Sequence, residues 1–247
     1  MKKILLSDRG KVKETSILCD KYNVGIDAGS FRDYNISKHN PNTINEILSS
    51  YENTAIYSIH GTIADLIFES SIIKRTKKRF EAIYGFSEKL NCKNIVFHNG
   101  YVPGASKPEK WIKDAKVFWD EYLKNKDTET IFYLENFLET SPYIIINLIE
   151  EVNKNNLKMC FDIGHANIYS KIEIMKWIEI AYKNIGFVHL HNNDGRTDSH
   201  DGLNNGVINI LEICKALEHY CPDAIWALET KELETSINWL RLNNFYK

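Results

Sequence analysis

The stretch GFVHLHNNDGRTDSHDGLNNG, residues 186–206, opens with four residues of strand character, Phe187-Val188-His189-Leu190, and then breaks into a polar loop. The loop carries His191, Asp194, Asp198, His200 and Asp201. Three of the chain's eight histidines fall within residues 189–200. Imidazole and carboxylate together are the ligand set of zinc, manganese, iron or nickel sites. An apolar strand that empties into a loop of such groups is how a (β/α)8 barrel builds its active end. A solvated loop with incidental histidines is the plainer reading, and the rest of the chain decides between the two.

Working outward, seven more short apolar runs read as strands: Ile4–Ser7, Val24–Asp27, Ala55–Ile59, Asn94–Phe97, Thr130–Leu134, Leu157–Phe161 and Ala224–Leu228. Between them lie segments of helical period. Lys11–Tyr22 turns Val12, Thr15, Ile17 and Leu18 inward, and Asn42–Ser50 spaces Ile44, Ile47 and Leu48 for one face. Ser70–Leu90 is the longest such pattern, with the basic run Lys74–Arg79 mostly off its apolar face as a solvated surface. Helices also follow Pro108 and Pro142, and span Ile172–Tyr182, Val207–His219 and Ile237–Leu242. In Val207–His219 the inward set is Ile210, Leu211, Cys214 and Leu217. Strands alternating with helices predict one parallel α/β barrel over residues 1–247, a single (β/α)8 TIM barrel domain.

Composition agrees. A chain of 247 residues with 43% hydrophobic residues suits one such barrel. A formal net charge of −2 excludes an overall basic field that would draw the protein to nucleic acid or a membrane surface. Cys19, Cys92, Cys160, Cys214 and Cys221 are odd in number and form no CxxC pair, so they read as buried thiols in a reducing compartment. Only three apolar residues follow Met1-Lys2-Lys3, so neither a signal peptide nor a membrane span is expected, and a cytoplasmic protein is.

The ends of the strands carry the chemistry. His60, His98, Glu135, Asp162, His189 and Glu229 each close a predicted strand, and Asp27 stands near the end of another. A charged or imidazole group ending a buried run is costly unless it is paired or liganded. In a barrel these ends ring one face, so a metal site is expected there.

At these residues the chain resembles the xylose isomerase-like barrel superfamily, which includes sugar-phosphate isomerases and epimerases, inosose dehydratases and endonuclease IV-type apurinic endonucleases. The pieces are Val96-Phe97-His98-Asn99-Gly100-Tyr101, Leu134-Glu135-Asn136, Phe161-Asp162-Ile163-Gly164-His165-Ala166-Asn167, Val188-His189-Leu190 with its loop, and Ala227-Leu228-Glu229-Thr230. The resemblance runs from about residue 55 to 230. It implies that Glu135, Asp162, His189 and Glu229 hold a divalent metal (manganese, zinc, cobalt or magnesium), with Glu135 and Glu229 as the acid/base pair. His165 resembles the epimerases' substrate-contacting histidine. His60 and His98 resemble the endonucleases' ligands for a second metal, and Asp198 and His200 with His165 those for a third. One departure stands out: Asn204-Asn205-Gly206 replaces the superfamily's usual Gly-Glu-Gly.

Three functions compete. The first is a metal-dependent isomerase or epimerase of a small sugar, polyol or sugar phosphate. Glu135 and Glu229 then exchange a proton next to a carbonyl, and His60, His98, His165, Arg196 and Lys231 contact substrate. The second is hydrolysis of a phosphodiester at abasic sites by a metal cluster, which needs basic loops. Arg32, Lys107, Arg196 and Lys231 are few for that task, so nucleic acid is disfavoured as a partner. The third is a metal- or sugar-binding barrel without turnover. Isomerisation predicts one tightly held ion and phosphodiester hydrolysis three. Homo-oligomerisation is left open.

Overall fold

The computed structural model describes residues 3–32, 41–52, 54, 56–62 and 66–246. Eight strands are present: β1 Ile4–Ser7, β2 Gly25–Ala28, β3 Ile56–His60, β4 Asn94–His98, β5 Ile131–Glu135, β6 Leu157–Asp162, β7 Ile185–Leu190 and β8 Ile225–Leu228. They pair in parallel in the order β1 to β8, and β8 closes on β1. Part of the expected third strand, Ala55, lies outside the described residues, as do Met1 and Lys2.

The alternation of strand side chains sorts the residues into an outer and an inner set. Outward-facing Leu6, Ile26, Ile59, Phe97, Leu134, Phe161, Val188 and Leu228 are buried in the main core shared with the helices. Inward-facing Leu5, Val96, Tyr133, Cys160, Phe187 and Ala227 form a separate buried apolar cluster inside the barrel. Two residues further along, the next inward positions are Ser7, Asp27, His60, His98, Glu135, Asp162, His189 and Glu229. One comes from each strand or its first loop residue, and all are buried. A plug of apolar side chains thus floors a ring of eight polar ones. Register fixes the neighbours: His98 pairs with Glu135, and Asp162 with His189.

The helices are α1 Val12–Tyr22, α2 Pro41–Ser49, α3 Ser70–Lys89, α4 Pro108–Leu123, α5 Tyr143–Val152, α6 Ile163–Tyr169, α7 Ile174–Ala181, α8 Ile210–Tyr220 and α9 Leu233–Leu242. A 3-10 turn, Gly29–Arg32, follows β2. Several sequence expectations need correcting. In α1 the buried face is Val12, Thr15, Cys19 and Tyr22, and Ile17 is 68% exposed. Residues spaced by three, four and three keep one face on the barrel, and Ile17 falls on the other. Likewise Val207 precedes α8 rather than opening it, and Leu211 faces outward. In the basic run of α3, Arg79 is buried while Lys74, Arg75 and Lys78 are exposed. All five cysteines are buried thiols. No helix among the described residues is long and apolar enough to cross a membrane.

Candidate metal centre

The ring crowds three carboxylates around one imidazole nitrogen. Nδ1 of His189 lies 2.9 Å from Glu135 Oε1, 3.1 Å from Glu229 Oε2 and 3.7 Å from Asp162 Oδ2. One N–H donates to one acceptor, so the imidazole alone leaves this gathering of negative charge undercompensated. Glu135 Oε2, Glu229 Oε2 and His189 Nε2 are buried and, despite close polar neighbours, make no well-aligned hydrogen bond among the described residues. Such atoms are costly in the absence of a ligand. Four oxygen and nitrogen donors converging from β5, β6, β7 and the end of β8 are a fit for a divalent cation.

The charge state of the three carboxylates supports that fit. Burial raises the Glu135 carboxyl, but His98, His189 and His60 outweigh it and hold it well below the usual range. Burial raises Glu229 too, and Arg32, His189 and His60 bring it well below. Asp162 is raised by burial and lowered further by His165 and His191. All three carboxylates are therefore ionised at neutral pH. The imidazoles divide. Burial, then Arg32, pulls His60 down to about 3, and burial with His165 and Arg32 lowers His98. Both are neutral, with a lone pair available to a cation. Burial lowers His165, but Asp162, Asp198 and Glu135 raise it to about 10. His189 is raised well above its ordinary value, because Cys160, Glu135 and Glu229 overcome burial.

Two further groups adjoin the first. His60 Nε2 lies 2.9 Å and His98 Nε2 3.4 Å from Glu135 Oε2, so these three residues converge on a second point. His191, Asp198 and His200 form the other. His200 Nε2 and His165 Nε2 lie 3.2 and 3.3 Å from the same oxygen of Asp198. Asp27 is buried beside His60 and His189, and Ser58 donates to it at 2.6 Å.

Local structure aims these groups. Asp162 ends β6 and is also the N-cap of α6: its Oδ1 accepts from the backbone N–H of His165 at 2.7 Å. The Asn136 side chain grips the same turn twice, donating to the Asp162 carbonyl and accepting from its N–H, each at 2.8 Å. The His165 ring then donates from Nδ1 to the Asn136 carbonyl at 2.9 Å. Gly164 is forced by packing, because a Cβ there would sit 1.9 Å from His191 Cε1. His191 contacts both Asp162 oxygens, at 3.0 and 3.2 Å, and stacks on His200 with centroids 4.2 Å apart. The His200 ring donates from Nδ1 to the Glu229 carbonyl at 2.8 Å.

Arg32, from the 3-10 turn, forms an ion pair with Glu229 Oε1 and lies 3.4 Å from Ser7 Oγ. The two oxygens of Glu229 thus divide, one toward the ring and one toward Arg32. The structure brings Glu135, Asp162, His189, Glu229, His60, His98, His165, Asp198 and His200 together. It does not bring in Arg196, whose side chain is exposed on the β7 loop, or Lys231, which is exposed beside a cavity next to β8. Asn204 and Asn205 are also exposed, so the altered turn lies at the surface. The sequence reading missed the Arg32 contact with Glu229 and the contact of His191 with Asp162. Neither has a local signal, since the first pair is separated by nearly the whole chain.

The chain matches the Xylose isomerase-like TIM barrel family over residues 23–242. It is 25% identical to the uncharacterized protein MJ1311 of Methanocaldococcus jannaschii, over 82% of this chain and 73% of that one. Among solved structures it resembles the TTHB071 protein of Thermus thermophilus soaked with zinc chloride. The TM-score is 0.75 at 20% identity, covering 98% of this chain and 96% of that one. A D-tagatose 3-epimerase-like protein gives a TM-score of 0.75 at 19% identity, covering 99% and 96%. These structural likenesses concern the fold.

Proposed function

Because the chain belongs to the xylose isomerase-like TIM barrel family, we propose that it is a divalent-metal-dependent isomerase or epimerase of a small sugar, polyol or sugar phosphate. The observation that carries this reading is the placement of two buried, ionised glutamates. Glu135 from β5 and Glu229 from the end of β8 both reach His189 Nδ1, at 2.9 and 3.1 Å. Epimerisation needs a proton acceptor on one face of a carbon and a proton donor on the other. Of two carboxylates on separate strands, the ionised one takes the proton, and the other donates once it has itself taken up a proton from solvent. The residues that would hold the cation are Glu135, Asp162, His189 and Glu229. When bound, the metal supplies Lewis-acid polarisation of the substrate carbonyl and the neighbouring hydroxyl.

The chain's own residues do the rest. Glu135 and Glu229 take and return the proton. His165 borders the ring, with Nδ1 held by the Asn136 carbonyl and Nε2 beside Asp198, and is the residue placed to contact a substrate oxygen. Arg32 holds the outer oxygen of Glu229, so that its inner oxygen stays on the ring. His60 and His98 border the site as neutral imidazoles able to bind substrate hydroxyls. Residues 1–247 are read as one barrel domain, and partners beyond the small substrate are left open.

A second reading rests on the two neighbouring groups, His60-His98-Glu135 and His191-Asp198-His200, which offer places for further cations. Such a cluster suits phosphodiester hydrolysis at abasic sites. One experiment separates the two. The metal-reconstituted protein is incubated in deuterium oxide with a ketose panel, and in parallel with an abasic-site duplex at two salt concentrations. Deuterium entering the sugar carbon next to the carbonyl supports isomerisation. Strand cleavage without sugar exchange overturns it in favour of hydrolysis.

A further inference from the structure

We propose that the substrate carries a phosphate-class anionic group, held by Arg9 and Lys231 in a cavity beside the carboxylate ring. This inference rests on the isomerase reading and deepens it. A cavity of about 590 Å³ opens between the loops after β1 and β8, at the same end of the barrel as the ring. That volume suits a small-molecule site. Its lining includes Ser7, Arg9, Lys11, Thr230, Lys231 and Glu232.

The basic groups there are available. Arg9, Lys11 and Lys231 are in no ion pair among the described residues, whereas two of the four lining carboxylates, Asp8 and Glu234, are engaged elsewhere. Asp8 accepts from Tyr51 Oη at 2.5 Å, from the Gly10 N–H at 2.7 Å and from the Gly29 N–H at 3.2 Å. Glu234 accepts from Lys21 at 2.5 Å and from Tyr22 at 3.2 Å. Glu232 lies over Gly202, whose added Cβ would meet its Oε2 at 2.8 Å. Of the lining carboxylates, Glu14 and Glu232 are exposed and are in no ion pair or hydrogen bond among the described residues, two charges against the three cations Arg9, Lys11 and Lys231.

The wall of the cavity adjoins the centre. Ser7 on its wall lies beside Arg32, which holds Glu229, and Thr230 directly follows Glu229. The Arg9 guanidinium is pulled down by burial, and the charges of Glu229, Arg32 and Asp198 act on it. The ring is negative and the Arg9–Lys231 side is positive, so a molecule with a reactive sugar end and an anionic end meets both. The first turns of α1 and α9 border the same space, and neither has a side-chain cap on its N–H groups.

The test is calorimetric titration of the purified protein, at its measured metal content, with inorganic phosphate. Wild type is compared with Arg9→Gln, Lys231→Gln and the control Lys113→Gln on α4, each checked for unchanged melting. The proposal expects phosphate binding that falls at least tenfold in the first two variants and is unchanged in the third. No binding, or binding indifferent to Arg9→Gln and Lys231→Gln as for an ion held only by metal, overturns it. An abasic duplex that is cleaved, and that weakens in the same two variants, overturns it as well. Solvent deuterium exchange separates this inference from the reading beneath it. Exchange into neutral ketoses but never into their phosphate esters overturns the anionic substrate alone. Phosphate binding lost in both variants, with no exchange into any sugar or ester, supports the anion site and removes the isomerase assignment.

Discussion

Glu135 and Glu229 are the same residue type in unlike surroundings. Glu135 is enclosed by four imidazoles and Glu229 is shared between His189 and Arg32. Glutamine keeps the shape of either but removes the proton acceptor. Loss of general acid/base help costs about 10²- to 10⁴-fold in rate. For epimerisation, Glu135→Gln and Glu229→Gln should both fall in that range in kcat, measured with metal occupancy recorded for each. Near wild-type turnover in both variants with metal bound removes the proton-transfer mechanism. His165 gives a prediction in pH. Its pKa in the fold, about 10, stands above its unfolded value. Its contribution to metal-free stability is therefore fully present below about pH 6.5 and lost as pH rises toward 10. Thermal melts of metal-free protein should show that decline flattened in His165→Gln, and equal slopes contradict the account. The polar ring was legible because strand alternation puts the strand-end residues inside, and seven of these eight, all but Ser7, are histidines, aspartates or glutamates. The Arg32 to Glu229 ion pair was not, because only closure of the barrel brings β2 and β8 to the same place.

The β6–α6 turn, from Asp162 to Tyr169, is where one element serves both fold and site. The Asp162 carboxylate caps the helix and faces the ring, and Asn136 locks its backbone. Gly164→Ala is the sharpest test of this element. Helix propensity alone favours alanine over glycine by about 1 kcal/mol. Against that, the new Cβ would lie 1.9 Å from the His191 ring, whose stacking on His200 leaves little room to move. The contact wins, so Gly164→Ala should lower both melting temperature and metal affinity. A rise in melting temperature contradicts that packing. Sequence periodicity could not show α6, which at seven residues is too short for a recurring apolar face. Periodicity also overreached in α1 and α8, where Ile17 and Leu211 are apolar yet lie on the solvent side. There hydrophobicity marks a face only when its spacing agrees with the other buried positions.

At the scale of the whole molecule, barrel closure turns eight separate strand ends into one site. The apolar plug of Leu5, Val96, Tyr133, Cys160, Phe187 and Ala227 floors it, and only the loops are free to vary above. This explains why strand spacing predicted the barrel while the reaction stayed open: the same ring offers four donors to one cation and adjoining groups to others. The central claim is that Glu135, Asp162, His189 and Glu229 together bind a divalent cation. The most direct measurement is anomalous diffraction with elemental analysis of chelator-stripped protein after reconstitution with manganese or zinc. The account predicts a fully occupied ion touching all four residues, with occupancy sharply reduced in Glu135→Gln. An ion held elsewhere, no ion at all, or full occupancy undiminished by Glu135→Gln contradicts it.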